Sequence, residues 1–243
     1  MPSREALLTR TFVEAADTLV SDFDVVDFLT TLAARCTDLF DASDAGIMLT
    51  DAAGGLQVVA SSSHAMRRLE LFELQHLEGP CIECFRSGIV VASEDLGADL
   101  DRWPRFAREA IDHGMRSAVA VPMRLREATL GSLNLLRDKP GPLGKDDLAA
   151  AQALADVATI ALIQQRAAED ARILNEQLQT ALTSRVTIEQ AKGVLAERAG
   201  LTMDAAFDRL RRYARAHRRR LVEVAQSVAA RDMALVDEVA QTS

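Results

Sequence analysis

The chain has 243 residues, 49% of them hydrophobic and 26% charged, enough for one domain of ordinary size plus a smaller one. It contains no run of about 18 apolar residues, and its opening MPSREALLTR lacks the apolar stretch of a signal peptide. A membrane-spanning helix is therefore excluded, and a cytoplasmic, soluble protein is expected. The net charge of −8 is unevenly held: residues 1–182 contribute −11, residues 183–220 contribute +6 and residues 221–243 contribute −3. A basic module sits inside an acidic chain.

The first elements are helical. Leu7, Leu8, Phe12, Ala15, Ala16 and Leu19, then Val26, Leu29, Ala33, Cys36 and Leu39, recur every three or four residues and predict amphipathic helices over 4–20 and 24–40. AGIMLTD and LQVVASSS read as strands joined at Gly54-Gly55, a hairpin signal. His64 to Gln75 suits a helix. GPCIECFRSG breaks the pattern and leads into a strand, GIVVASED; Trp103 to His113 is helical in period and closed by Gly114. SAVAVPMRL and TLGSLNLLRD then predict strands around an REA turn. Five short strands mixed with helices imply an α+β domain, an antiparallel sheet with helices against it.

From Lys145 to Lys192 there is neither Pro nor Gly, so one unbroken helix of about 70 Å is predicted at about 1.5 Å per residue. Its middle is polar all round except for a seam at Leu174, Leu178, Ala181, Leu182, Arg185 and Ile188, which suits a short dimeric coiled coil that couples two domains. The plainer reading is a solvated linker.

The basic module reads as three helices. Ile188, Ala191, Leu195 and Ala199 keep helical spacing up to Gly200; Thr202 can cap a second helix with an inner face of Met203, Ala206, Phe207, Leu210 and Ala214; Leu221, Val224, Ala225 and Val228 form a third. Crowded arginines on so small a bundle are best tolerated beside a polyanion. Arg185, Lys192, Arg212, Arg215, Arg219 and Arg220 are the candidate contacts to phosphates and loop bases. Tyr213 is the one nearby aromatic placed to stack on a base, although its spacing equally suits the inner face. DNA, or a protein partner, is the competing ligand.

Other chemistry is sparse. Three cysteines do not make a disulfide framework and are expected reduced. Cys81 and Cys84 form a lone C-x-x-C with no second pair to complete a zinc site. They are read as small buried residues of a helix, or as a redox pair if a helix N-terminus lowers their pKa values. His64, His76 and His113 are isolated and read as structural or surface residues. No glycine-rich phosphate loop, H-E-x-x-H or G-x-S-x-G occurs. No catalytic residue, metal site or cofactor is expected. A small-molecule pocket between sheet and helices would use Met48, Val59, Phe85, Trp103 and Phe106, each equally a plain core residue.

Two resemblances sharpen this reading. SRVTIEQAKGVLAERAGLTMDAAFDRLRRYARAHRRRLVEVA, with its SR-xx-IEQAKG opening, AF-xx-LR centre and L-xx-VA ending, resembles an ANTAR domain, the small three-helix RNA-binding module of bacterial transcription antiterminators. It departs in having His217 and Arg218 where an Asn or Ser often precedes the last helix. FVEAADTLVSDFDVVDFL, GPCIECFRSGIVVASEDL, RWPRFAREAIDHGMRSAVAVPMRL and the LGSLNLLRD block are similar to the GAF sensor domains found ahead of ANTAR modules in actinobacterial proteins. There a small apolar residue usually follows GPC-x-E; here it is Cys84. The resemblance implies a GAF domain at 1–165, a coiled-coil linker at 166–182 and an ANTAR bundle at 183–243. It further implies a homodimer that binds RNA hairpins in nascent mRNA under control of a GAF ligand. The alternative is a sensor whose helical tail recruits a protein partner or binds DNA.

Overall fold

The computed structural model describes residues 3–17, 23–51, 53–126 and 128–241. The expected helical position Leu19 and the turn residue Glu127 fall outside them. The chain divides into two compact units, Met1–Ala167 and Ala168–Ser243.

The first unit is built on a five-stranded antiparallel sheet of β1 (Asp44–Thr50), β2 (Leu56–Ser61), β3 (Val91–Ser93), β4 (Ser117–Leu125) and β5 (Ala128–Arg137), in the spatial order β2-β1-β5-β4-β3. The β1–β2 hairpin closes on Asp51, whose Oδ1 accepts from the backbone of Ala53 and Gly55, while Gly54 takes the left-handed conformation. Strand alternation sorts the sheet into two faces. Ile47, Leu49, Val121, Leu133 and Leu135 pack with Leu29, Ala33 and Cys36 of α2 (Val25–Phe40). Leu154, Ala158 and Leu162, from the beginning of α6 (Lys145–Ala199), complete that core, with Leu7, Leu8 and Phe12 of α1 (Arg4–Asp17) against its edge. On the other face Ala118, Ala120 and Leu136 meet α3 (His64–His76), α4 (Pro80–Ser87) and α5 (Phe106–Asp112) through Met66, Leu69, Cys84 and Phe106, with Trp103 from the segment before α5.

Local chemistry fixes the ends. Asp24 caps α2 by accepting from Asp27 N, and Ser63 caps α3 by accepting from Met66 N. The segment GPCIECFRSG, expected to break the pattern and to carry Cys81 and Cys84 in a helix, is the helix α4. Its two breakers serve as ends, Pro80 in the first turn and Gly88 left-handed at the C-cap. The strand expected after it shrinks to β3, three residues. α5 begins at Phe106 rather than Trp103, because Glu78 Oε1 accepts from the N–H groups of Arg105 and Phe106 at 2.6 and 2.9 Å and starts the helix there.

In the second unit the later part of α6, α7 (Met203–Ala216) and α8 (Leu221–Ala229) form the expected helices. Gly200 is left-handed at the end of α6, and Thr202 accepts from Ala205 N at the start of α7. Met203, predicted inward, is exposed, since it sits in the first turn beyond the contact. A further helix, α9 (Met233–Gln241), was not anticipated; Leu235, Val236 and Val239 join Leu195, Leu210 and Val224 in one core.

Candidate nucleic-acid interface and sensor core

The inward residues of α7 are Ala206, Leu210, Tyr213 and Ala214. At about 100° per residue, this turns Arg211, Arg212 and Arg215 outward together. After α7, Arg218 takes a left-handed backbone and Arg219 N donates to Ala214 O, so the chain reverses tightly. Arg220 then occupies the N-cap of α8 without a side-chain cap, as expected for a sequence lacking Asn or Ser there. Arg212, Arg215, Arg219 and Arg220 are thereby displayed over one helix end and one turn, all exposed. Within the described residues their side chains, and that of Arg185 on α6, form no hydrogen bond or ion pair. Exposed guanidinium groups without an internal carboxylate partner have the charge and fork geometry that suit phosphate oxygens.

Lys192 and Tyr213 differ from the rest. Lys192 is half-buried, with Nζ 2.9 Å from both Glu189 carboxylate oxygens and 5.7 Å from the Phe207 ring centre. Tyr213 is only 5% exposed; its hydroxyl donates to Glu238 Oε2 of α9 at 2.7 Å, and its ring stacks on His217 at 3.9 Å. Tyr213 is therefore a core residue and unavailable to a base, because α9, absent from the sequence reading, supplies its partner.

In the first unit the five expected pocket residues do not make one wall. Trp103 and Phe106 meet edge to face, ring centres 6.3 Å apart, in the α3–α5 core. Met48 is fully buried on β1, opposite Ser132. Val59 packs in the opposite core, because an irregularity after Ile47 pairs Met48 with Val58 and leaves Val59 as the extra residue of β2. Phe85 is only half-buried and lies outside both cores.

Sequence reasoning missed what that core does hold. Glu70 and Glu73, one turn apart on α3, are 0% and 1% exposed. Ser61 Oγ and Asn134 Nδ2 donate to the two oxygens of Glu70 at 2.6 and 3.1 Å, and Gly46 beneath leaves room for its carboxyl. Glu73 accepts from Cys81 N at 3.0 Å and from the Cys81 thiol at 2.5 Å, holding the start of α4. Burial pushes Glu70 up to about 7 against the donors Ser61 and Asn134 and the field of Arg67, and pushes Glu73 up to about 8 against its bonds to Cys81. The signal was present: Met66, Leu69, Glu70 and Glu73 share helical spacing, so the carboxyls fall on the core stripe.

Cys81 and Cys84 do lie in a helix, but their thiols are shifted away from reactivity. Burial and the nearby Glu73 raise Cys81 strongly, and burial pushes Cys84 up to about 12. Among the described residues no cluster of three His, Cys, Asp or Glu could hold a metal, and no helix is long and apolar enough to cross a membrane.

Comparison with known proteins follows this division. A GAF domain model matches residues 24–163 and an ANTAR domain model matches residues 176–228. Among curated proteins none matches the chain. Free methionine-R-sulfoxide reductase from Neisseria meningitidis, solved with its substrate, is similar at 20% identity and a TM-score of 0.53, covering 68% of this chain and 91% of that one. The GAF domain of Acinetobacter phosphoenolpyruvate-protein phosphotransferase is similar at 15% identity and a TM-score of 0.52, covering 70% and 99%. A phycoerythrobilin-bound GAF domain from a cyanobacterial phytochrome is similar at 16% identity and a TM-score of 0.50, again covering 70% and 99%. At such identities these likenesses carry the fold alone. The chain belongs to the GAF family through residues 24–163 and carries, at residues 176–228, an ANTAR domain, the regulatory module of RNA-binding antitermination regulators.

Proposed function

We propose that the protein is a dimeric transcription antitermination regulator whose basic unit binds hairpins in nascent mRNA and so disfavours an overlapping terminator. The observation that carries this is the set of exposed, unpaired arginines 185, 212, 215, 219 and 220 on one small helical unit that matches the ANTAR family. Lys192, tied to Glu189, is a weaker contributor. The proposed modules are a sensor at 1–165, a linker at 166–182 and an RNA-binding bundle at 183–243. Leu174, Leu178 and Leu182 stand 53–59% exposed on α6; a second copy of the same helix is the occupant that would bury this seam. The GAF unit would supply control by taking a small molecule, as the fold does in the phycoerythrobilin-bound neighbour, and no cofactor is proposed for RNA binding itself. Hairpin RNA should bind the intact chain in preference to duplex DNA at equal salt. A preference for DNA, or no nucleic-acid binding, would return the protein-recruitment reading to first place.

A further inference from the structure

Beside the arginine set, the later part of α6 and the start of α8 enclose an open groove of about 460 Å³, within the size range of small-molecule sites. Its wall on α6 carries Gln179, Thr183 and Ser184, and its wall on α8 carries Arg220 and Gln226. Within the described residues no side chain of these five makes a hydrogen bond or ion pair, whereas the neighbouring Thr180 hydroxyl is committed to Glu176 O at 2.8 Å. Two primary amides, two hydroxyls and a guanidinium are thus presented without internal use, over a floor that includes Val222.

The groove's charge narrows the ligand. Glu223 also lines it, and a carboxylate beside Arg220 disfavours a bare anion. Neutral amides and hydroxyls flanked by one cation instead match a nucleotide: a base edge with donors and acceptors, a ribose hydroxyl and one phosphate. Reading of single-stranded RNA loops uses unstacked bases that are hydrogen-bonded on their edges or stacked on aromatics. Tyr213 is inside the core, and the groove's own side chains offer the hydrogen-bonding mode.

Its placement fits the same use. Counting about 100° per residue on α6, residues 179 and 183 lie roughly 100–140° round the helix from the mean direction of Leu174, Leu178 and Leu182. A dimer formed on that seam leaves the groove open. Arg185 follows Ser184, and Arg219 precedes Arg220, so the groove continues into the phosphate-binding set.

We infer that this groove is the base-reading subsite of the RNA interface, taking one unstacked loop nucleotide with its base edge on Gln179 and Gln226, its ribose hydroxyl at Ser184 and its phosphate on Arg220. The inference rests on the RNA-binding reading above. The probe is a pool of RNA hairpins with randomised loops, selected on the intact chain. The best-enriched hairpin and one with the same stem and a shuffled loop are then titrated against wild type, Gln179→Ala, Gln226→Ala and Ser184→Ala. These side chains project into solvent or the groove, and an unchanged thermal melt confirms folding. Wild type should prefer the enriched loop. Each Gln→Ala change should weaken that hairpin about 5- to 100-fold, as for loss of a paired base-edge contact, while leaving the shuffled hairpin and the salt dependence unchanged. Equal losses on both hairpins, no loss on either, or a wild type that binds RNA without loop preference would overturn the subsite while leaving the RNA reading intact. A wild type that binds no RNA removes both.

Discussion

Glu70→Gln should make the GAF unit more stable near neutral pH, although it alters a fully buried, doubly hydrogen-bonded side chain. Burial raises Glu70 from 4.5 to about 7 and Glu73 from 4.5 to about 8, so the folded unit keeps protons that the unfolded chain has released. The stability contributed by such groups is fully present below about pH 4.5 and declines as pH rises, until about 7 for Glu70 and about 8 for Glu73. At about 1.4 kcal/mol per pH unit, the loss assigned to Glu70 is on the order of 3 kcal/mol. Asp41 and Glu169, whose carboxyls Lys139 and Arg172 hold below the ordinary range, change charge at lower pH and stay outside this window. The amide introduced by Glu70→Gln cannot ionise; its oxygen can keep accepting from Asn134 Nδ2, while its N–H group meets the Ser61 hydroxyl, which can turn to accept. Trp103, the single tryptophan, lies in the same core and reports unfolding by fluorescence. Urea titrations between pH 5 and pH 8 should show the wild-type midpoint falling and the Glu70→Gln midpoint falling less, the remaining fall being that of Glu73. A flat wild-type profile, or a variant weakened equally at both ends, would refute the account of a buried, proton-retaining carboxyl.

Three further outcomes test other parts of the structure. Replacing Leu178 and Leu182 together by Asp should convert a dimer into a monomer in light scattering at micromolar concentration, with the Trp103 unfolding signal unchanged; a monomeric wild type would contradict the seam. Gly131→Ala should destabilise the GAF unit by about 1–3 kcal/mol, since the added Cβ would press on the Met48 carbonyl of the paired strand, and urea denaturation measures it. Cys81 and Cys84, buried with raised thiols, should resist alkylation at pH 7 until denaturant is added; rapid native labelling followed by mass spectrometry would show otherwise.

Much of the fold is legible because local rules and tertiary packing agree. Thr202 announces a helix start and performs that role, and the strands alternate as their sequences do. Reading fails where a residue's role depends on something distant. Gly79-Pro80 and Gly88 punctuate the chain as the two ends of α4, but the carboxylate that accepts from Cys81 N at its start, Glu73, comes from the preceding helix. Val59 is assigned to the wrong core because a one-residue strand irregularity moves it, which alternation alone cannot forecast. Tyr213 has a spacing compatible with either side of α7, and the choice is made by Glu238, 25 residues later. The basic set is visible as composition, and the Lys192–Glu189 pair, three residues apart on one helix, follows from spacing; that the arginines keep no internal partner emerges from the fold. The buried glutamates are the reverse case: their positions were readable, and the habit of placing carboxylates at the surface hid them.

On the proposed function, the free arginines of the second unit neutralise RNA phosphates. With about four to six phosphates contacted per protomer, and roughly 0.7 to 0.9 released counterions each, log K for a hairpin should fall against log salt with a slope of about −3 to −5. Arg219→Ala with Arg220→Ala should weaken binding and flatten that slope by about one to two units, while the Trp103 unfolding curve stays in place. Binding of hairpin RNA that ignores salt and these two arginines, or tighter binding of duplex DNA at equal salt, would contradict it.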